Sequence, residues 1–230
     1  MDKPGLLLLH GALGSREQFR ELEKLLQPQF SIHSFDFEGH GSAPPRDRPF
    51  RIEHFAENIA EYLDRGGIEA ADIFGYSMGG YAALCLALTN PGRINRIATF
   101  GTKFRWDPGV AQKESSHLDP KTISEKIPRY AETLKRRHSA SGWENVLRLT
   151  ADMMLELGQR PVLTPERYRI VQQPVRIGLG DRDSMVSVEE SVEVYRALPR
   201  GEMVMFPNTP HPLEKVPLQP LSQSLIEFFT

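Results

Sequence analysis

Three side chains in this sequence have the types, and the order along the chain, that nucleophilic attack on a carbonyl requires. Ser77 lies in Gly75-Tyr76-Ser77-Met78-Gly79-Gly80. A serine hydroxyl is a weak nucleophile until a base takes its proton and a third group orients that base. His211, in Thr-Pro-His-Pro-Leu, is the candidate base, and Asp183, in Gly-Asp-Arg-Asp-Ser, is the candidate orienting acid. Glycines at 75 and 79 remove side chains that would obstruct a sharp strand-to-helix turn at the serine. The attack also needs donors aimed at the oxyanion that develops. The backbone N–H of Met78 is one candidate. The second is Ala12, in His10-Gly-Ala-Leu-Gly-Ser15, with Leu13 as the alternative.

Other residues of the same types have plainer explanations. Among seven histidines, His33 lies in a strand pattern and His54 in a helical one. His117 and His138 fall in a helical insertion, and His10 and His40 stand beside glycines and suit structural roles. His211 follows the last strand pattern, and open α/β sheets place their sites at the C-terminal ends of strands. Asp181 competes with Asp183, but it follows a strand-ending glycine directly and suits a turn-bonding role. Asp36, at another strand end, suits the same role. Cys85 suits core packing, and the Met153-Met154 pair suits packing within the insertion.

The elements that must hold these residues can be read from periodicity. Apolar runs at 6–9, 31–37, 71–76, 96–100, 175–180 and 202–206 end at glycine or turn residues and read as strands. Between the first four lie helical spacings at 15–27, 52–67 and 81–93, the last apolar nearly all round and closed by Asn-Pro-Gly. Residues 121–138 and 141–158 also read as helices, the first interrupted at Pro128, with a shorter helix in Thr-Pro-Glu-Arg-Tyr-Arg-Ile-Val-Gln. Helices at 188–199 and near 217–229 complete the pattern. This predicts an α/β fold: a mostly parallel sheet of about six strands with helices on both faces. Residues 1–101 and 173–230 form the core domain, and 102–172 form the helical insertion.

Bulk properties exclude several classes. The 230 residues carry a formal net charge of −2, which gives no reason to expect nucleic acid or membrane partners. The single cysteine excludes an intramolecular disulfide. The four-leucine run near the N-terminus is too short for a secretory signal, so the expectation is a cytoplasmic protein. The insertion holds 13 Lys and Arg against 9 Asp and Glu, so it is locally basic. Lys135-Arg136-Arg137 reads as a solvated helix face or as a cluster attracting an anionic substrate. Phe104 and Trp106, where the insertion begins, are expected to line an acyl pocket.

Taken together, the segments at 10–15, 36–42, 75–80, 180–186 and the His211 loop resemble the α/β-hydrolase family over nearly the whole chain. The order Ser, Asp, His is that family's order. The resemblance implies a Ser77-His211-Asp183 hydrolase whose insertion is a helical cap over the pocket, acting on a small acyl substrate without cofactor or metal. Esters or thioesters are the leading expectation. Carbon–carbon bond hydrolysis, cofactor-free perhydrolysis, a lyase of menaquinone biosynthesis and a non-hydrolytic small-ligand sensor are the alternatives on the same fold. Ser77 argues against the dehalogenase and epoxide hydrolase branches, which use Asp at that place. Three features depart from the family pattern. Thr-Pro precedes His211 where relatives usually have a small residue. Glu38 stands where relatives more often carry Arg or Pro. The family's usual leading hairpin is expected to be missing.

Overall fold

The computed structural model describes residues 3–230. The strands are β1 (Gly5–Leu9), β2 (Ser31–Ser34), β3 (Ala71–Tyr76), β4 (Ile94–Phe100), β5 (Val175–Gly180) and β6 (Gly201–Phe206). Flanking the first four are α1 (Arg20–Leu26), α2 (Ile52–Arg65) and α3 (Met78–Thr89). Between β4 and β5 come α4 (Pro108–Ser116), α5 (Pro120–Lys126), α6 (Pro128–Arg137), α7 (Trp143–Gln159) and α8 (Pro165–Tyr168). The last two helices are α9 (Val188–Ala197) and α10 (Leu218–Phe229).

Every strand pair is parallel, in the order β2-β1-β3-β4-β5-β6. Strands covered on both faces read as continuous apolar runs rather than alternating ones, and β3 is buried at all six positions. Successive side chains still point to opposite faces. Leu7, Leu9 and Ile73 join one core with α2 and α3. Leu6, Leu8, Phe74 and Phe100 join the other, with residues of α1 and α10. The chain runs outward from β1 to β2 and then returns to the other side of β1 as β3. This reversal leaves a crevice beyond the C-terminal ends of β1 and β3, where such sheets bind ligands.

The structure departs from the sequence expectations in three places. The run at 31–37 forms a ladder only as far as Ser34, because the N–H of Phe37 is taken by the His10 ring (3.1 Å) instead of a strand neighbour. The helix expected around 164–172 shrinks to the four residues of α8. Helix α4 was not legible from periodicity, yet it carries a local start signal: Asp107 caps it by accepting the Val110 N–H at 2.9 Å, with Pro108 following. It packs closely on α7, where a Cβ at Gly158 would lie 2.4 Å from the Ala111 methyl. No described helix is long and apolar enough to cross a membrane.

Glu38 has a structural explanation. Its side chain is buried and takes a two-pronged bond from Arg48, at 2.9 and 2.6 Å, and another from the Asn58 amide at 2.9 Å. The Asn58 oxygen in turn accepts the Glu38 N–H at 3.0 Å. This pins the 38–48 loop to α2. Glu38→Ala leaves the Asn58 amide without its partner and Arg48 with Glu57 alone, so a loss of about 2 kcal/mol is expected in urea unfolding. A change under about 0.5 kcal/mol would show that the loop is held by other means.

Candidate active site

Ser77 stands at the tip of the β3–α3 turn with φ 51° and ψ −117°, a backbone conformation that costs a non-glycine residue of order 1–3 kcal/mol. The neighbouring glycines allow the turn. A Cβ at Gly79 would lie 2.4 Å from the Leu9 carbonyl oxygen, and one at Gly75 would lie 2.4 Å from Gly80 Cα. The strained residue is locked from both sides. Its N–H donates to the Phe100 carbonyl (2.8 Å), and its carbonyl accepts the Thr102 hydroxyl (2.9 Å). Ser77 is the one residue between Ala71 and Ala87 that is not buried.

His211 follows β6 and faces Asp183, which follows β5. The Nδ1–Oδ2 distance is 2.7 Å. The other oxygen of Asp183 accepts the N–H groups of Met185 (2.8 Å) and Val186 (2.9 Å). With Asp183 as a carboxylate, Oδ2 can only accept, so the imidazole carries its proton on Nδ1. Nε2 is left as a base. Asp181 instead accepts the Thr209 N–H (3.1 Å) at the surface, the turn-bonding role expected of it. The Tyr76 hydroxyl donates to the His211 carbonyl (3.1 Å), and the two rings lie 5.5 Å apart. The residue before Ser77 thus holds the histidine loop, Thr-Pro-His-Pro included. Gly101 sits behind the pair with φ 60°, and a Cβ there would lie 3.2 Å from His211 Nδ1 and 3.4 Å from Asp183 Oδ2.

The first loop abuts the serine: a Cβ at Gly11 would lie 3.1 Å from Ser77 Cβ. The N–H of Met78 begins α3 and has no partner within the helix. Among the described residues the N–H groups of Ala12 and Leu13 have no hydrogen-bond partner either. Leu13 itself is buried in a left-handed conformation, φ 58°. Its carbonyl accepts from Arg137 (2.8 Å) and His138 (3.0 Å) of the insertion.

Phe104 and Trp106 are placed apart from these groups. They line a cavity of about 690 Å³ with Leu163, Tyr168 and Arg196, and none of Ala12, Ser77, Met78, Asp183 or His211 lines it. The cause is buried Glu190, which accepts the N–H of Phe104 (2.9 Å) and of Arg105 (3.3 Å) and pulls the chain leaving β4 against α9. Phe104 then meets Tyr168 edge-on at 6.1 Å. Glu190 had a sequence signal, since Ser187-x-x-Glu190 is a capping box at the start of α9. His138 had none, because its partners Gly41 and Leu13 lie 97 and 125 residues away. The basic triplet divides: Lys135 and Arg136 face solvent, while Arg137 turns inward.

Three buried histidines cluster beside the site, with His10–His40 and His40–His138 ring centroids 5.3 and 5.6 Å apart. Burial pushes the His10 and His138 rings down to about 4 and the His40 ring well below the usual range. The unfolded chain protonates such rings near 6.5. Stability from the neutral rings is therefore whole above pH 6.5 and is lost as pH falls towards 4. Each ring contributes a slope of up to about 1.4 kcal/mol per pH unit. Urea midpoints at pH 7, 6 and 5 should fall steeply, and less steeply in His138→Gln. A flat profile would contradict neutral burial.

These features define a class. A parallel sheet carries a strained serine after β3, an acid after β5 and a histidine after β6, with unpartnered N–H groups opposite. The sequence model described as the alpha/beta hydrolase fold matches residues 4–138, more than half of the chain. The chain belongs to the α/β-hydrolase fold family. It is similar to a pimeloyl-[acyl-carrier protein] methyl ester esterase of Pseudoalteromonas atlantica, 27% identical over 235 residues that cover 90% of this chain and 87% of that one. Among solved structures it resembles a malate-bound thermophilic esterase of Thermogutta terrifontis (TM-score 0.80, 20% identity, 99% of this chain and 90% of that one). It also resembles the enol-lactonase of Burkholderia xenovorans LB400 (TM-score 0.81, 16% identity, 100% of this chain and 92% of that one). At these identities the structural likenesses speak for the fold alone.

Proposed function

We propose that the protein hydrolyses small carboxylic esters or thioesters through an acyl-enzyme on Ser77. The observation that carries this reading is the 2.7 Å bond from His211 Nδ1 to Asp183, whose other oxygen accepts two N–H groups, in a loop held by the hydroxyl of Tyr76, the residue before the strained serine. In this mechanism His211 Nε2 takes the Ser77 proton as Oγ attacks the acyl carbon. The N–H groups of Ala12 and Met78 hold the oxyanion, and the imidazolium, steadied by Asp183, returns the proton to the leaving group. Water then repeats the sequence and releases the acid. The helical insertion acts as a cap over the site, and the setting is cytoplasmic.

The similarity to a pimeloyl-[acyl-carrier protein] methyl ester esterase supports an ester as the scissile group. The basic insertion supports acyl groups that carry a negative charge. The test is a panel of p-nitrophenyl esters and acyl-CoA thioesters that includes neutral and carboxylate-bearing pairs of matched length. Turnover is expected, with kcat/KM higher for the anionic member and that advantage shrinking as salt rises. Equal values with no salt effect would remove the anionic preference. No turnover of any member by folded protein would remove the ester reading.

A further inference from the structure

We propose that His138 and Arg137, at the end of α6 in the insertion, are positioning residues that aim the oxyanion N–H of Ala12 through two peptide planes in series. This rests on the ester-hydrolase reading of Ser77.

The coupling follows from peptide planarity. In a trans peptide the C=O and the following N–H point in opposite directions, so fixing one fixes the other. His138 Nε2 donates to the Leu13 carbonyl at 3.0 Å and Arg137 Nη1 at 2.8 Å. The same plane carries the Gly14 N–H, which donates to the Gly11 carbonyl at 3.0 Å. His10 Nδ1, whose ring accepts the Phe37 N–H at Nε2, also donates to that carbonyl at 2.8 Å. The Gly11 carbonyl is thus held by two donors, and the Ala12 N–H of its plane points the opposite way. The order is insertion, Leu13 carbonyl, Gly14 N–H, Gly11 carbonyl, Ala12 N–H.

Three further observations make this a clamp rather than a chance contact. The Gly41 N–H donates to His138 Nδ1 at 3.0 Å, so that nitrogen must be the acceptor and Nε2 the donor. The tautomer that grips Leu13 is therefore dictated from the opposite side of the ring, and the ring is fully buried. Arg137 also pairs with Glu214 at 3.5 Å, and Glu214 accepts from Gln18 at 2.8 Å, so the arm is tied to the segment that follows the first loop. Leu13 has a positive φ without being glycine, a conformation that persists where surrounding bonds enforce it.

The experiment uses the full chain as wild type, His138→Leu, His138→Gln and Arg137→Met. Three quantities are read: kcat and KM on a p-nitrophenyl ester, the affinity of phenylboronic acid, and hydrogen exchange of the peptide containing Gly14. Boronate mimics the tetrahedral state, whose oxygen needs the Ala12 N–H while the ground-state ester does not. In His138→Leu, kcat should fall about 30-fold with KM within about twofold, and boronate affinity should fall by the same factor. Gly14 exchange should quicken. Arg137→Met should do the same more weakly, about fivefold. His138→Gln should recover most of the loss, because its Nε2 can still donate to Leu13. Unchanged kcat in folded His138→Leu, a loss confined to KM, or a glutamine variant as poor as the leucine one would overturn the proposal. If His138→Leu does not fold, Arg137→Met and His138→Gln decide on the same terms. Wild type without ester turnover would overturn the hydrolase reading instead. The exchange measurement then still judges the clamp, and unchanged Gly14 protection in both His138→Leu and Arg137→Met would overturn it.

Discussion

Replacing Ser77 with alanine should lower kcat on any ester the protein turns over by about 10⁵-fold or more. In the proposed mechanism the hydroxyl is the attacking group, and nothing else at the turn can substitute for it. The neighbouring side chains, Tyr76 and Met78, are both buried, and Tyr76 spends its hydroxyl on the His211 carbonyl at 3.1 Å. The residual rate measures the oxyanion donors and substrate positioning alone. Alanine carries the same Cβ as serine without the hydroxyl, and the Phe100 and Thr102 bonds that hold residue 77 go to its backbone. The fold should therefore persist, with a thermal midpoint near that of the wild type. Pre-steady-state kinetics with p-nitrophenyl acetate is the check. The wild type should release p-nitrophenol in a burst set by acylation, and the variant should show none. A variant retaining more than a hundredth of the activity would place the nucleophile elsewhere.

The second large effect is expected from Asp183→Asn, and the structure says why. Oδ1 of Asp183 accepts two backbone N–H groups, from Met185 and Val186, at 2.8 and 2.9 Å. An asparagine in the same place must keep its carbonyl oxygen there, because an amide NH₂ facing two N–H donors would be repelled. Its NH₂ is then forced into the position of Oδ2, 2.7 Å from His211 Nδ1. A donor there requires Nδ1 to accept, so the imidazole proton moves to Nε2 and the base is lost. The expected fall in kcat is about 10⁴-fold with KM little changed. Activity should partly return at high pH, where hydroxide can take the Ser77 proton in place of the imidazole. The pH profile is therefore the discriminating measurement, and Asp181→Asn is the control. Asp181 bonds the Thr209 N–H at the surface, so its replacement should leave kcat within a few-fold. The reverse result, with Asp181 essential and Asp183 dispensable, would mean the acid has been assigned to the wrong residue.

The parts of this site that were legible in the sequence are those with local causes. Ser77 announces itself because a strained turn needs Gly75 and Gly79 in fixed places. Asp183 and His211 follow strands whose apolar runs are plain, and the parallel sheet brings strand ends together across many residues. Helix α3 was legible for the same reason, being apolar nearly all round and closed by Asn90-Pro91-Gly92. What was not legible depends on long-range partners. Nothing near His138 or Arg137 points to Leu13, and the adjacent exposed Lys135 and Arg136 make the whole triplet look solvated. The direction of Phe104 and Trp106 is set by Glu190, which lies 86 and 84 positions further along the chain. The early end of β2 is likewise set from a distance, by the His10 ring. Glu38 could be noticed as unusual from the sequence, but only its Arg48 and Asn58 partners explain it.

The central claim is that the turn at residues 75–80 exists to present one hydroxyl to a base and a substrate. The most direct measurement is the intact mass of the folded protein after incubation with a fluorophosphonate, which reacts with an activated serine and not with an ordinary one. One adduct per chain on the wild type, absent from Ser77→Ala, is the predicted result. No adduct on folded wild-type protein, or an adduct that survives in Ser77→Ala, would contradict it.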